Sequence, residues 1–318
     1  MKKKYIIISG CSGFIGLHLS NFFIKKNYIV YGLDRFSNNE IITLVKTKKF
    51  FFKKINLISE KKILKIYDEL KKIKFDSIWH LAANSDISKG ITDYKIELND
   101  TFITTINLVN LSKKLQIDKF IFSSSSAIFG NIKTKIHENS TPVRPISNYG
   151  AMKLSSESYI YASSKYFKRI CIFRFPNVVG PNMTHGLIYD LKRKINNKSY
   201  KIQLLGDGNQ QKPYLHVNYL IIYMFKLYKF KKKQDKIFVY NIGPSDRGIN
   251  VREIANLYKK IIKNTKIEFL YQKKKEGWVG DVIKYSYNNF LVRNILKTKI
   301  PSSKESIIRA IKDNITQK

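Results

Sequence analysis

A chain of 318 residues, 43% of them hydrophobic, can bury the core of two domains or of one large α/β unit. No apolar run reaches the ~18 residues that a membrane-spanning helix needs. The net charge of +36 is spread along the chain, with only short runs such as Lys231–Lys233 and Lys273–Lys275. Lys rises together with Ile, Asn, Tyr and Phe, the residues of AT-rich codons, so nucleic acid is not an expected partner.

The N-terminal stretch MKKKYIIISGCSG has an apolar run too short for an export signal, and it leads straight into a glycine-rich turn. It reads as a first strand over 3–9, and the expected location is cytoplasmic. Cys11 and Cys171 have no metal or disulfide spacing, so no metal site is expected; they suit a reducing compartment as small buried hydrophobes. A helix follows Gly13 to about Lys26, then strands over 28–34 and 50–55, a helix over 60–73 and a strand over 75–83. A long helix is predicted over 93–115 and a strand over 118–126. Pro142 and Pro145 punctuate a loop before Ser147, a candidate N-cap for a helix carrying Tyr149 and Lys153. A strand over 169–175 ends the alternation. Strands separated by helical patterns imply an α/β fold with a parallel sheet. Beyond it Gly180-Pro181, Gly206-Asp207-Gly208 and Gly243-Pro244 mark loops among shorter elements. The expected domains are 1–175 and a smaller C-terminal α/β region over 176–318, with segments free to cross back.

The first strand–turn–helix carries Gly10, Gly13 and Gly16 in a G-x-x-G-x-x-G pattern. Glycines at such a turn let the backbone approach a pyrophosphate, whose charge meets the free N–H groups of a helix N-terminus. Asp34, ending the second strand, can bond adenosine ribose hydroxyls and would repel a 2′-phosphate. NAD is therefore favoured over NADP. Arg35 next to it is the complication, because an arginine there could accept that phosphate.

Tyr149 and Lys153 are four residues apart and so share one helix face. A free phenol titrates near pH ~10. Acid–base work would require its pKa to fall by about 3 units, or roughly 4 kcal/mol, with Lys153 and any bound cation as the source. A serine run, Ser123–Ser126, ends 23 residues before Tyr149.

Gly10–Gly16, Asp34, HLAA (80–83), SSSSAIFG (123–130), Tyr149/Lys153 and RFPNVVGP (174–181) occur in the order seen in the extended short-chain dehydrogenase/reductases. More closely, the chain resembles nucleotide-sugar epimerases of the UDP-glucose 4-epimerase type. That likeness extends through LGDGNQQKPYLHV (205–217) and GWVGDV (277–282). The resemblance implies a Rossmann-type doubly wound sheet with a smaller substrate-binding domain. It implies NAD held along Gly10, Gly13, Phe14, Ile15 and Gly16, with Asp34 at the ribose and Asn56 and Leu57 at the adenine. Leu81, Ala82 and Ala83 would lie along the cofactor and Pro176 near the nicotinamide. Ser125, by its distance to Phe129-Gly130, matches the family's catalytic Ser/Thr beside Tyr149 and Lys153. Ser125, Asn177 and Lys212 would contact a nucleotide-sugar substrate.

Departures from the pattern narrow the reaction. Dehydrating members place an Asp-Glu pair where this chain has Ser126 and Ala127, which cannot transfer a proton. The expectation is a UDP-hexose 4-epimerase serving surface-polysaccharide precursors. The alternatives are a 4-ketoreductase or dehydratase of the same family, or a catalytically silent member that binds RNA. Lys212 stands where an Arg is common and Trp278 where a second one is; His185 and Asp281 stay open between substrate contact and structure. The family's habit of dimerising through helices that include the one bearing Tyr149 makes a homodimer the expected assembly.

Overall fold

The computed structural model describes residues 3–84, 86–196, 200–230 and 235–316; the Lys231–Lys233 run lies outside the described residues. The chain divides into two compact units. The first comprises Met1–Ser125, Asn148–Arg174 and Tyr228–Tyr240, and the second Ser126–Ser147, Phe175–Leu227 and Asn241–Lys318.

The first unit is built on β1 (Lys4–Ser9), β2 (Tyr28–Asp34), β3 (Phe50–Lys54), β4 (Phe75–His80), β5 (Lys119–Ser125) and β6 (Arg169–Phe175). The strand Ile237–Asn241 completes a seven-stranded sheet, ordered Ile237–Asn241, β6, β5, β4, β1, β2, β3. β1 pairs in parallel with β2 and β4, β2 with β3, and β4 with β5. Strands covered on both faces must be apolar throughout, and Ile6, Ile7 and Ile8 of β1 are fully buried. The order reverses at β1, between β2 and β4, which makes the carboxyl ends of β1 and β4 the place where a doubly wound sheet opens a crevice.

Helices α1 (Phe14–Lys25), α2 (Asn39–Val45), α3 (Glu60–Leu70), α4 (Ile87–Thr92), α5 (Tyr94–Glu97), α6 (Thr104–Lys114) and α7 (Asn148–Ala162) belong to this unit. Trp79 is fully buried, with ring neighbours Phe23, Tyr228 and Phe173 at centroid distances of 5.0, 5.1 and 6.5 Å. Such edge and stacked aromatic contacts add to area burial. The long helix expected over 93–115 is not continuous. It runs as α5, a π-helical segment Leu98–Ile103, and α6. A π-segment shifts the helical face by about one residue, and such segments recur at functional sites.

The division places Phe175 in the second unit and otherwise differs from a single boundary after residue 175 by two segments that cross over. Ser126–Ser147 joins the second unit, and Tyr228–Tyr240 returns to the first because its strand Ile237–Asn241 extends the sheet edge. The second unit holds short paired strands and the helices Leu187–Asn196, Val251–Ile261 and Ser303–Thr316. Asn250 and Glu253 form a reciprocal capping box at the start of Val251–Ile261.

Candidate active site

β1 ends at Ser9, and the chain must turn at once to enter α1. Gly10 takes φ +71°, and its N–H donates to the Leu33 carbonyl at 2.9 Å. A Cβ on Gly10 would lie 2.7 Å from the Ala82 nitrogen, and one on Gly16 would lie 2.0 Å from the Gly10 carbonyl oxygen. Neither position tolerates a side chain. These approaches bring Gly10–Gly16 against Leu81–Ala83 at the carboxyl ends of β1 and β4. Gly13 caps α1 without a side-chain hydrogen bond, so the first-turn N–H groups keep their capacity for an anion. Phe14 and Ile15 are partly buried in that turn, with Phe14 edge-on to His18.

Asp34 sits beside the turn. Its Oδ2 accepts from the Ser12 N–H at 2.9 Å and its Oδ1 from the Phe36 N–H at 3.3 Å. Arg35 turns instead to Asp100, donating from both terminal nitrogens at 2.9 and 2.7 Å. The Ile55 N–H donates to the Asp34 carbonyl at 2.7 Å, which carries Asn56 and Leu57 to the same edge of the sheet. Asn56 accepts from the Ile58 N–H, and buried Leu57 accepts through its carbonyl from Asn107 at 2.8 Å. A backbone cradle that admits only glycine, an uncapped helix start and a carboxylate beside them fit a dinucleotide. Pro176 belongs to the second unit.

α7 begins directly after Ser147 and presents Tyr149 and Lys153 on one face. The four serines at the end of β5 separate by partner. Ser123 donates to the His80 carbonyl at 3.1 Å, Ser124 to the Glu157 carboxylate, and Ser126 to the Tyr285 phenol at 2.9 Å. Ser125 is the serine hydrogen-bonded to the Tyr149 phenol. Lys153 is buried; its ammonium donates to the Ser123 carbonyl at 2.7 Å and lies 5.7 Å from the Tyr149 ring centroid and 4.8 Å from that of Phe122. Glu157 pairs with Arg174 through Nε at 2.9 Å and a terminal nitrogen at 2.6 Å, which ties α7 to β6.

Burial pushes the Tyr149 phenol up rather than down, and the Glu97 carboxyl adds to that push; the Ser125 hydrogen bond opposes both. Burial also drives the Lys153 ammonium down to about 8, against the pull of Glu97 and Glu157. Desolvation penalises both charged forms, so in the protein's own field the neutral phenol wins.

Glu97 escapes a sequence reading. It lies within a helical pattern and nothing in its spacing distinguishes it. In the fold it is fully buried, accepting from Asn84 Nδ2 at 2.8 Å and Thr101 Oγ1 at 2.9 Å, and burial raises its pKa. A Cβ on Gly90 would lie 2.4 Å from its Cγ, and the Gly90 carbonyl accepts from Asn148, the residue before Tyr149.

In the second unit Lys212 is ion-paired with Asp281, and its ammonium lies 4.6 Å from the Trp278 ring centroid. Asn177 is exposed and hydrogen-bonds the Tyr214 phenol, which burial and the Asp281 charge push up. His185 sits in an exposed loop beside Thr184. Among the described residues no cluster of His, Cys, Asp and Glu could hold a metal, and no helix is long and apolar enough to cross a membrane.

The model of the NAD dependent epimerase/dehydratase family matches residues 6–243. A UDP-glucuronate 4-epimerase of Thermodesulfobacterium geofontis is 23% identical over 280 residues, covering 84% of this chain and 83% of the relative. A UDP-glucose 4-epimerase of Caenorhabditis elegans is 25% identical over 293 residues, 81% of this chain and 83% of its own. The crystal structure of a Bacillus cereus UDP-glucuronic acid 4-epimerase, in complex with UDP-glucuronic acid and NAD, superposes with a TM-score of 0.84 at 22% identity. It covers 97% of this chain and 98% of that one, and so shows a shared fold. With the glycine turn, Asp34 and the Ser125–Tyr149–Lys153 group inside the matched span, the chain belongs to the NAD-dependent epimerase/dehydratase family.

Proposed function

We propose that the protein is a UDP-sugar 4-epimerase that oxidises and re-reduces C4 of its substrate with NAD. The observation that carries this reading is the contact of Ser125 with Tyr149 beside Lys153, at the end of a sheet whose glycine turn fits a dinucleotide. Gly10, Gly13, Phe14, Ile15 and Gly16 would hold the pyrophosphate, Asp34 the adenosine ribose, Asn56 and Leu57 the adenine, and Leu81–Ala83 the length of the dinucleotide. Pro176 would flank the nicotinamide. Bound NAD⁺ supplies the hydride acceptor, and its positive ring adds to Lys153 in favouring the phenolate.

Tyr149 takes the proton of the sugar 4-hydroxyl, and Ser125 bonds the reacting oxygen. Lys153 holds charge beside the ring, positioned by its bond to the Ser123 carbonyl. After the keto sugar turns over, Tyr149 returns the proton to the opposite configuration. Ser126 and Ala127 offer no second acid or base for elimination, and the Ser126 hydroxyl is committed to Tyr285. This favours epimerisation over dehydration.

Asn177 and Lys212 are proposed for the substrate diphosphate. The assembly proposed is a homodimer, with the exposed Tyr161 on α7 as support. Cys11 and Cys171 are buried free thiols, which suits a reducing compartment such as the cytoplasm.

Incubation with NAD and UDP-glucose, UDP-galactose, their N-acetyl forms or UDP-glucuronate, without added reductant, should give 4-epimers by NMR. An absence of interconversion in every case, with NAD binding verified, overturns the reading. Tyr149→Phe should lower turnover by about 10²–10⁴ while cofactor affinity is kept. A variant with near-normal turnover removes Tyr149 from its role.

A further inference from the structure

We propose that Asp100 is a cofactor-specificity residue, acting by holding the Arg35 guanidinium away from the adenosine ribose. The inference rests on the dinucleotide reading of the Gly10–Gly16 turn. Arg35 follows directly on Asp34, the residue seated on the Ser12 N–H. A guanidinium there is suited to a 2′-phosphate, because its fork matches two phosphate oxygens. In this fold both arms of the fork are engaged. One terminal nitrogen donates to Asp100 Oδ1 at 2.9 Å and the other to Oδ2 at 2.7 Å, across 65 residues of sequence.

The acceptor is better fixed than the donor. The Asp100 side chain is 15% exposed against 43% for Arg35. Asp100 lies in the π-helical segment Leu98–Ile103, and its carbonyl accepts from Thr104 Oγ1 at 2.7 Å. Arg35 is steadied further by the Phe36 ring, 5.1 Å from its guanidinium carbon. Two carboxylates, Asp34 and Asp100, thus border the region that a 2′-phosphate would enter, and the arginine that follows Asp34 is neutralised. Asp34, at the end of β2, repels the phosphate, and Asp100 withholds the compensating cation.

The test is binding of NAD and of NADP to the full-length protein by calorimetry, for the wild type, Asp100→Asn, and Asp100→Asn combined with Arg35→Ala. The wild type should prefer NAD. Asp100→Asn should tighten NADP binding roughly fivefold or more, with NAD affinity within about twofold of wild type, as expected for release of a partly exposed bidentate pair. The gain should vanish in the double variant. A gain that persists without Arg35 would show that only the removed negative charge matters, and it overturns the proposal. Unchanged NADP affinity in Asp100→Asn, with NAD still bound, overturns it as well and leaves the dinucleotide reading standing. A wild type that binds neither dinucleotide overturns both.

Discussion

Two lysines, buried Lys153 in the first unit and half-buried Lys212 in the second, do opposite things with their charge. Lys153 donates to a main-chain carbonyl and lies beside the rings of Tyr149 and Phe122, and burial lowers its pKa to about 8. Lys212 lies beside a Trp278 ring in much the same way, yet it is paired directly with Asp281. An ammonium bonded to a carbonyl keeps its net charge available to a neighbouring phenolate. An ammonium bonded to a carboxylate has spent that charge locally, and an anionic ligand must compete for it. In the roles proposed for them, the two lysines thus differ in whether the partner of the ammonium is neutral.

The comparison breaks most visibly at Lys153. Lys153→Met should cost about 10²–10⁴ in turnover. It should also raise stability at pH 7, because holding a desolvated ammonium costs the fold on the order of 3 kcal/mol. The sign follows from proton counting: between about pH 8 and 10.5 the unfolded chain keeps the proton that the native Lys153 has released. Wild-type stability therefore recovers over that window, and the advantage of the variant in denaturant titrations should fade there. A variant less stable than wild type at pH 7 would show that the bond to Ser123 outweighs desolvation.

His80 tests the same field from the other side. It is buried between Ser9 and Thr105, with both ring nitrogens 2.9 Å from a hydroxyl, and burial and the Lys153 charge hold its pKa well below the usual value. As pH falls below 6.5 the unfolded chain takes up a proton that the native state refuses. Wild-type stability should then drop by up to about 1.4 kcal/mol per pH unit relative to His80→Asn. Parallel pH profiles for the two proteins would mean that His80 is protonated in the fold.

Asp281→Asn releases Lys212 and should strengthen UDP binding by about 1 kcal/mol, roughly fivefold, by calorimetry. Weaker binding would mean that Asp281 positions the lysine rather than neutralising it. The smallest effect belongs to Glu97→Gln. Removing a carboxylate that pushes the Tyr149 phenol up should move the acidic limb of the turnover profile to lower pH, by less than about one unit. A shift to higher pH would contradict the role given to Glu97.

Much of the first unit was legible in the sequence because its determinants are local. Strand periodicity, the glycine spacing and the i, i+4 relation of Tyr149 and Lys153 need only neighbouring residues. The seven-stranded order and the π-helical break at Leu98–Ile103 were not legible. A helical pattern reads the same whether it holds one continuous helix or one interrupted by an extra residue. The place of Glu97 was hidden for the same reason. Among Ser123–Ser126, the family resemblance favoured Ser125, while the partners of the other three came only with the packing of β4, α7 and Tyr285.

The amino-acid sequence alone determined the fold class, the glycine turn, Asp34, and the Tyr149–Lys153 pair, since each depends on backbone conformation and short-range spacing. Tertiary structure decided the charge states. It set half-buried Tyr149 beside buried Lys153, so that desolvation outweighs attraction in shifting both groups. It also set Lys212 against Asp281 and Arg35 against Asp100, across 69 and 65 residues of chain. Coulomb energy depends on distance and dielectric, and neither exists until the chain has folded.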